Sequence, residues 1–104
     1  MLDIGFIGYV SVGDTLPLAI QCRNGSQVAT APTGAPTYSV YPSGFASAVS
    51  TGSLGGADTD SKTGFRTGGL TISVSYTAGE LYTVLFQYAE GGNNRSVIGT
   101  FQVV

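Results

Sequence analysis

Asp58 and Asp60 stand two residues apart in the glycine- and aspartate-rich stretch from Gly52 to Thr63, the obvious carboxylate pair in the chain. Two neighbouring carboxylates can divide acid and base roles in glycoside hydrolysis, or share a cation. A glycine-rich loop is a poor support for either, because catalytic geometry needs rigid elements beneath it. The run Asp58-Thr59-Asp60-Ser61-Lys62-Thr63-Gly64 also alternates oxygen donors in the manner of a calcium loop. An EF-hand requires Gly at its sixth position and a bidentate Glu at its twelfth. Counted from Asp58, these positions hold Thr63 and Gly69, and Lys62 places a cation inside the loop. The expectation is a solvated turn, with no metal site and no cofactor.

Other routes to catalysis are closed by composition. The chain has no histidine and one cysteine, Cys22, so neither a Ser–His nor a Cys–His nucleophile can be built. General acid–base work would fall to a few scattered carboxylates or a perturbed lysine. No Gly-x-Gly-x-x-Gly opens a helix and no Walker loop is present; Gly55-Gly56, Gly68-Gly69 and Gly91-Gly92 read as turns between strands where positive φ is needed. No catalytic residue is assigned, and the chain is expected not to be an enzyme.

The elements that would carry any site are short. In 104 residues there are 16 glycines, and only 10% of side chains are charged, against roughly a quarter in ordinary soluble domains. The formal charge is −2, with Arg23, Lys62, Arg66 and Arg95 scattered along the chain. Nucleic-acid binding needs clustered Lys and Arg and is not expected. No apolar run approaches the ~20 residues of a membrane-spanning helix, and no basic-then-apolar leader opens the chain. With one cysteine there is no intrachain disulfide, which points to synthesis in a reducing cytoplasm. Low charge suits either a Ser/Thr/Gly-rich polar surface or a surface covered by a partner or by copies of the same chain.

Alternating segments between turn signals predict an all-β sandwich or barrel. Leu2, Ile4 and Phe6 alternate; the phase then shifts beside Gly5 and Gly8, where Ile7, Tyr9 and Val10 take over, the mark of a bulge or a kinked edge strand. After a turn at Gly13-Asp14, Leu16, Leu18, Ile20 and Cys22 share one face of a strand. A long connection from Asn24 to Pro36 leads to a strand over Thr37–Tyr41, and Pro42-Ser43-Gly44 turns the chain into a weaker strand over Phe45–Thr51. Phe65-Arg66-Thr67 reads as a short strand. Leu70, Ile72, Val74 and Tyr76 alternate with polar residues as a half-buried strand. Leu81–Ala89 is apolar on both faces, hence central. Glu90–Asn94 forms a hairpin loop, and Ser96–Val104 closes the domain with Val97, Phe101 and Val103 on one face. Tyr38, Tyr76, Tyr82 and Phe86 are assigned to the core or a sheet face.

The run Tyr76-Thr77-Ala78-Gly79-Glu80-Leu81-Tyr82-Thr83-Val84 resembles the tyrosine corner of immunoglobulin-like and fibronectin type III domains. There a turn glycine precedes by three positions a tyrosine whose hydroxyl bonds back to upstream backbone. Tyr82 and Gly79 take these parts; Tyr76 stands where the family has Leu, and Ala78 where it has Pro. The segment Asp60-Ser61-Lys62-Thr63-Gly64-Phe65-Arg66, with the alternating strand after it, is similar to runs in small Ig-like domains of tailed-bacteriophage structural proteins. The resemblance covers Leu16 to Val104. It implies an immunoglobulin-like antiparallel β-sandwich of about seven to eight strands, belonging to a virion component assembled in the host cytoplasm.

The expected organisation is therefore an N-terminal arm or edge strand over residues 1–12 and an Ig-like sandwich over residues 13–104. Interaction residues are expected at Leu2, Ile4, Phe6, Ile7 and Tyr9 on the arm, and at Tyr41 and Phe45, because exposed aromatics make good interface anchors. By the resemblance the partner is a capsid or other virion structural protein, with a homo-oligomer as the default for a repeated surface protein. Three functions are weighed in this order: a capsid decoration or cement protein, a tail, baseplate or fibre module, and a carbohydrate-binding or adhesion module outside a virus. The fold by itself does not choose among them.

Overall fold

The computed structural model describes residues 5–44 and 46–104; the expected interaction residues Leu2, Ile4 and Phe45 lie outside the described residues. Seven strands form among them: β1 (Gly5–Val10), β2 (Thr15–Gln21), β3 (Thr33–Tyr41), β4 (Ser50–Ser53), β5 (Phe65–Thr71), β6 (Leu81–Glu90) and β7 (Asn93–Val103), with a short 3-10 turn at Thr59–Ser61. They make an all-β fold of two sheets. One is five-stranded in the order β1-β7-β6-β3-β4, and the other pairs β2 with β5. Every pairing is antiparallel except β1 with β7, which is parallel.

The period-2 patterns place the core between the sheets. Leu16, Leu18 and Ile20 of β2 and Tyr82, Val84, Phe86 and Tyr88 of β6 point inward, while their neighbours point out. Leu18, Val40, Ile72, Val84, Phe101 and Val103 are fully buried at the centre. Each such side chain contributes about 1.5–3 kcal/mol over leaving it in water. Tyr76, Tyr82 and Phe101 form an aromatic cluster, with centroids 4.8 Å apart for Tyr76–Tyr82 and 5.5 Å for Tyr82–Phe101. Tyr38 is partly buried against this core; its ring lies directly over Gly52 of β4, where a Cβ would collide with it. Cys22 is buried, and burial pushes its thiol pKa up.

Several expectations need correction. The alternation Leu70-Ile72-Val74-Tyr76 does not run as one strand: β5 ends at Thr71. The chain then turns, with the Tyr76 N–H donating to the Ser73 carbonyl. Val74 sits on that turn at 90% exposure, while Leu70, Ile72 and Tyr76 are buried. Alternation of residue types thus continued past the point where the backbone left the sheet. Phe65-Arg66-Thr67 is the start of β5 and not a separate strand, and Gly68-Gly69 lie inside that strand and not in a turn. A Cβ on Gly68 would stand 2.9 Å from a Leu54 methyl, so the glycine allows a close approach. Gly55-Gly56 have no positive φ either, whereas Gly91-Gly92, at φ 52° and 82°, make the two-residue hairpin turn between β6 and β7. The strand expected over Phe45–Thr51 is β4 (Ser50–Ser53), and β3 begins at Thr33, inside the expected long connection.

The Asp58–Asp60 loop is held by its own polar contacts. Asp58 accepts from the Gly64 N–H at 3.0 Å and from Arg66 Nε at 3.1 Å, and Arg66 Nη1 donates to the Gly55 carbonyl at 3.2 Å. Arg66 is buried and Asp58 partly so. The carboxylate of Asp58 is therefore committed to closing the loop. Among the described residues no group of three or more His, Cys, Asp or Glu is placed to hold a metal ion. No helix among them is long and apolar enough to cross a membrane.

Candidate interaction surface

The five-stranded sheet packs one face on the core and turns the other to solvent. Register defines that outer face. One row across it reads Phe6 (β1), Thr100 (β7), Thr83 (β6) and Tyr41 (β3). A second reads Tyr9, Gln102 and Leu81, and a third Ile98, Leu85, Ser39 and Thr51. Phe6 and Tyr9 are 52% and 66% exposed, Leu81 46%, and Leu85, Ile98 and Tyr41 are half-buried. No outward position of the five strands, among the described residues, carries a charged side chain. The charges stand elsewhere: Asp14 in the β1–β2 turn, Arg23 after β2, Asp58 to Arg66 around the 3-10 turn and the start of β5, and Glu80 before β6. Glu90 and Arg95 pair on the inward side, with Nη2 to Oε1 at 2.7 Å.

β1 forms one edge of this face. Its register slips between Phe6 and Gly8, at the position where the sequence pattern changes phase, and Gly8 has φ 148°. The slip brings Phe6 and Tyr9 to the outer side, rings 5.1 Å apart and edge-on at 67°. Val10 then turns inward, where it is buried beside Val103. Ile7, at the slip, and Tyr9 stay exposed, while Val10 points inward. Of the expected interaction residues that are described, Phe6, Tyr9 and Tyr41 therefore share the outer face, with Ile7 at the β1 slip. Leu81, Leu85 and Ile98 belong to the same face and were not singled out from sequence. β6, which carries Leu81 and Leu85, has apolar residues on both sides, and only its pairing and burial tell which side meets water.

At the end of the face near Leu81, the β5–β6 turn is pinned. The hydroxyl of Tyr82, a buried residue, accepts the Thr77 N–H at 2.8 Å, and Gly79 takes φ 90° and donates its N–H to the Val103 carbonyl. Tyr76 donates to Ser50 Oγ at 2.7 Å; burial raises its pKa, an effect the Ser50 bond partly offsets.

Two open clefts lie at the opposite, hairpin end. The larger, about 430 Å³, is lined by Gln21, Arg23, Asn24, Tyr88, Arg95 and Val97 among others. Tyr88, its one aromatic, is buried and its hydroxyl is engaged: it accepts the Arg23 N–H and donates to the Arg23 carbonyl. The cleft therefore lacks an open aromatic platform on which a sugar ring could stack.

In comparisons with known proteins, no family model, no curated protein and no solved structure matches this chain.

Proposed function

We propose that this chain is a non-enzymatic, immunoglobulin-like domain that works by attaching to a larger protein assembly, as a virion structural protein that decorates or cements a capsid. The observation that carries the attachment reading is the outer face of the five-stranded sheet, which among the described residues carries no charged side chain and is bordered by the exposed pair Phe6–Tyr9. Interface cores are poor in charge and rich in aromatic residues. The Ig-like assignment is supported by the two-layer arrangement, by β1 lying parallel to the last strand, and by the Tyr82–Thr77 bond at the turn into β6. The virion assignment rests on the resemblance of the Asp60–Arg66 segment and the strand after it. A tail, baseplate or fibre module is the same reading at lower copy number.

Density-gradient fractionation of the native source, with this chain quantified by mass spectrometry, tests the proposal. Co-sedimentation with particles at a copy number near that of the major shell protein is the expected result. A handful of copies per particle moves the assignment to the tail. Recovery in soluble or envelope fractions alone overturns both virion readings. Because Val10 is part of the core, the attachment surface is better tested by Phe6→Ser with Tyr9→Ser than by deleting β1.

A further inference from the structure

We propose that the larger cleft at the hairpin end binds a carboxylate, presented by an acidic side chain of a partner protein. The site is at the other end of the sheet from Leu81 and is independent of the outer face. Its basis is where the cations stand. The chain has four basic residues. Arg66 is buried against Asp58, and Lys62 follows the 3-10 turn. The other two, Arg23 and Arg95, line this one cleft, and among the described residues no carboxylate lines it. A concave surface lined by charge of one sign concentrates the opposite charge within it.

Both guanidiniums are held by part of their hydrogen-bonding edge. Arg23 is fixed at its backbone by Tyr88, whose hydroxyl accepts the Arg23 N–H at 2.9 Å and donates to the Arg23 carbonyl at 2.8 Å. Its Nη1 donates to the Gln27 carbonyl at 2.9 Å, across a turn in which Gln27 takes φ 63°. Arg95 gives Nε and Nη2 to one oxygen of buried Glu90, at 2.8 and 2.7 Å. Gly25 makes room for that group: a Cβ there would stand 3.0 Å from Arg95 Nη2. A guanidinium carries five N–H donors. Nε and Nη2 of Arg23 and Nη1 of Arg95 make no hydrogen bond among the described residues. Anchored forks of this kind have little freedom left to lose when a carboxylate arrives.

The balance of charge points to the ligand. Against two guanidiniums stands one carboxylate, Glu90, and Arg23 has no ion-pair partner among the described residues. The excess is a single positive charge, which one carboxylate neutralises. A nucleic-acid backbone needs a longer row of cations. A sugar acid calls for an aromatic platform, and Tyr88 is buried and engaged. The carboxamides of Gln27 and Asn94, which also line the cleft, suit the peptide groups flanking an Asp or Glu.

Nuclear magnetic resonance titration of the isotope-labelled full chain tests the proposal, followed at the backbone amides and the arginine Nε–H signals. The probes are a capped tri-glutamate peptide, capped tri-glutamine, glucuronate and inorganic phosphate. The expected result is saturable shifts around Arg23, Gln27 and Arg95 with tri-glutamate and none with tri-glutamine, weakening as salt rises. In Arg23→Gln the dissociation constant should rise roughly tenfold, the loss of one charge-assisted contact. An unchanged melting temperature would show that R23Q still folds, and the comparison of probes on the wild type stands without it. Tri-glutamine matching tri-glutamate, no saturation at tens of millimolar, or R23Q binding like the wild type overturns the proposal. Glucuronate or phosphate binding more tightly than tri-glutamate overturns the protein side chain as the ligand. The titration uses the free chain, so its outcome is separate from whether the chain travels with particles.

Discussion

Gly64 stands where three segments meet, and replacing it with alanine should be the most damaging single-methyl change in the loop. Its φ is 72°, and an added Cβ would collide with the Thr30 carbonyl oxygen and lie 2.9 Å from that of Cys22. The Cys22 carbonyl cannot easily move. The Cys22 oxygen accepts the Thr30 N–H at 3.0 Å, and the Cys22 N–H donates to the Gly64 carbonyl at 2.9 Å. Left-handed backbone alone costs a residue with a Cβ about 1–2 kcal/mol. Overpacking against fixed atoms adds about 1–3 kcal/mol. Gly34 separates the two effects: its φ is 77°, but an added Cβ meets nothing within 4 Å. Gly34→Ala should lose about 1–2 kcal/mol, and Gly64→Ala about 2–5 kcal/mol. Urea unfolding followed by circular dichroism reads the difference as a midpoint shift, at a slope of ~1–3 kcal/mol per molar. Equal losses in the two variants would refute the steric reasoning and leave backbone conformation as the only cost.

Tyr82→Phe removes the acceptor for the Thr77 N–H and should cost about 1–2 kcal/mol in the same assay. Arg95→Met leaves Glu90 buried without its cation. The loss should be about 2–3 kcal/mol, below that of a fully buried pair because Arg95 is 33% exposed; Arg95→Met with Glu90→Gln should recover part of it. Burial raises the pKa of the Cys22 thiol, so Ellman's reagent should not react with native protein at pH 8 and should react at once in denaturant. The folded state holds the protons of Cys22 and Tyr76 more tightly than the unfolded chain does. Stability from this source is therefore complete below the ordinary values of 9.0 and 10.0 and falls as pH rises through and above them. Urea midpoints measured from pH 7 to 11 should bend downward at the alkaline end, and less in Tyr76→Phe.

Much of the fold could be read from period-2 patterns alone. β2 and most of β7 lie where alternation places them, because each has one face on a common core, and β6, read as apolar on both faces, is central in its sheet. The slip in β1 was marked by glycines beside a change of phase. What escaped were features decided by pairing partners. Val74 continues the pattern of Leu70 and Ile72, yet the backbone has already turned to reach Tyr76. Gly68-Gly69 look like turn residues, but they lie inside β5, where the smallness of Gly68 serves the approach of Leu54. For the surface, Phe6, Tyr9 and Tyr41 were accessible as aromatics without an evident place inside. Leu85 was not, because in a strand apolar on both sides the sequence does not say which side faces out.

The parallel pairing of β1 with β7 also has a mechanical meaning. The two strands enter and leave the sheet at opposite ends: Gly5 lies beside Gly99 and Val10 beside Val103. Tension applied ahead of β1 and beyond β7 therefore pulls the strands along each other, so the hydrogen bonds of the ladder share the load and must yield together. A hairpin pulled from its open end would unzip one bond at a time. A domain strung between two anchored neighbours in this way resists stretching out of proportion to its size.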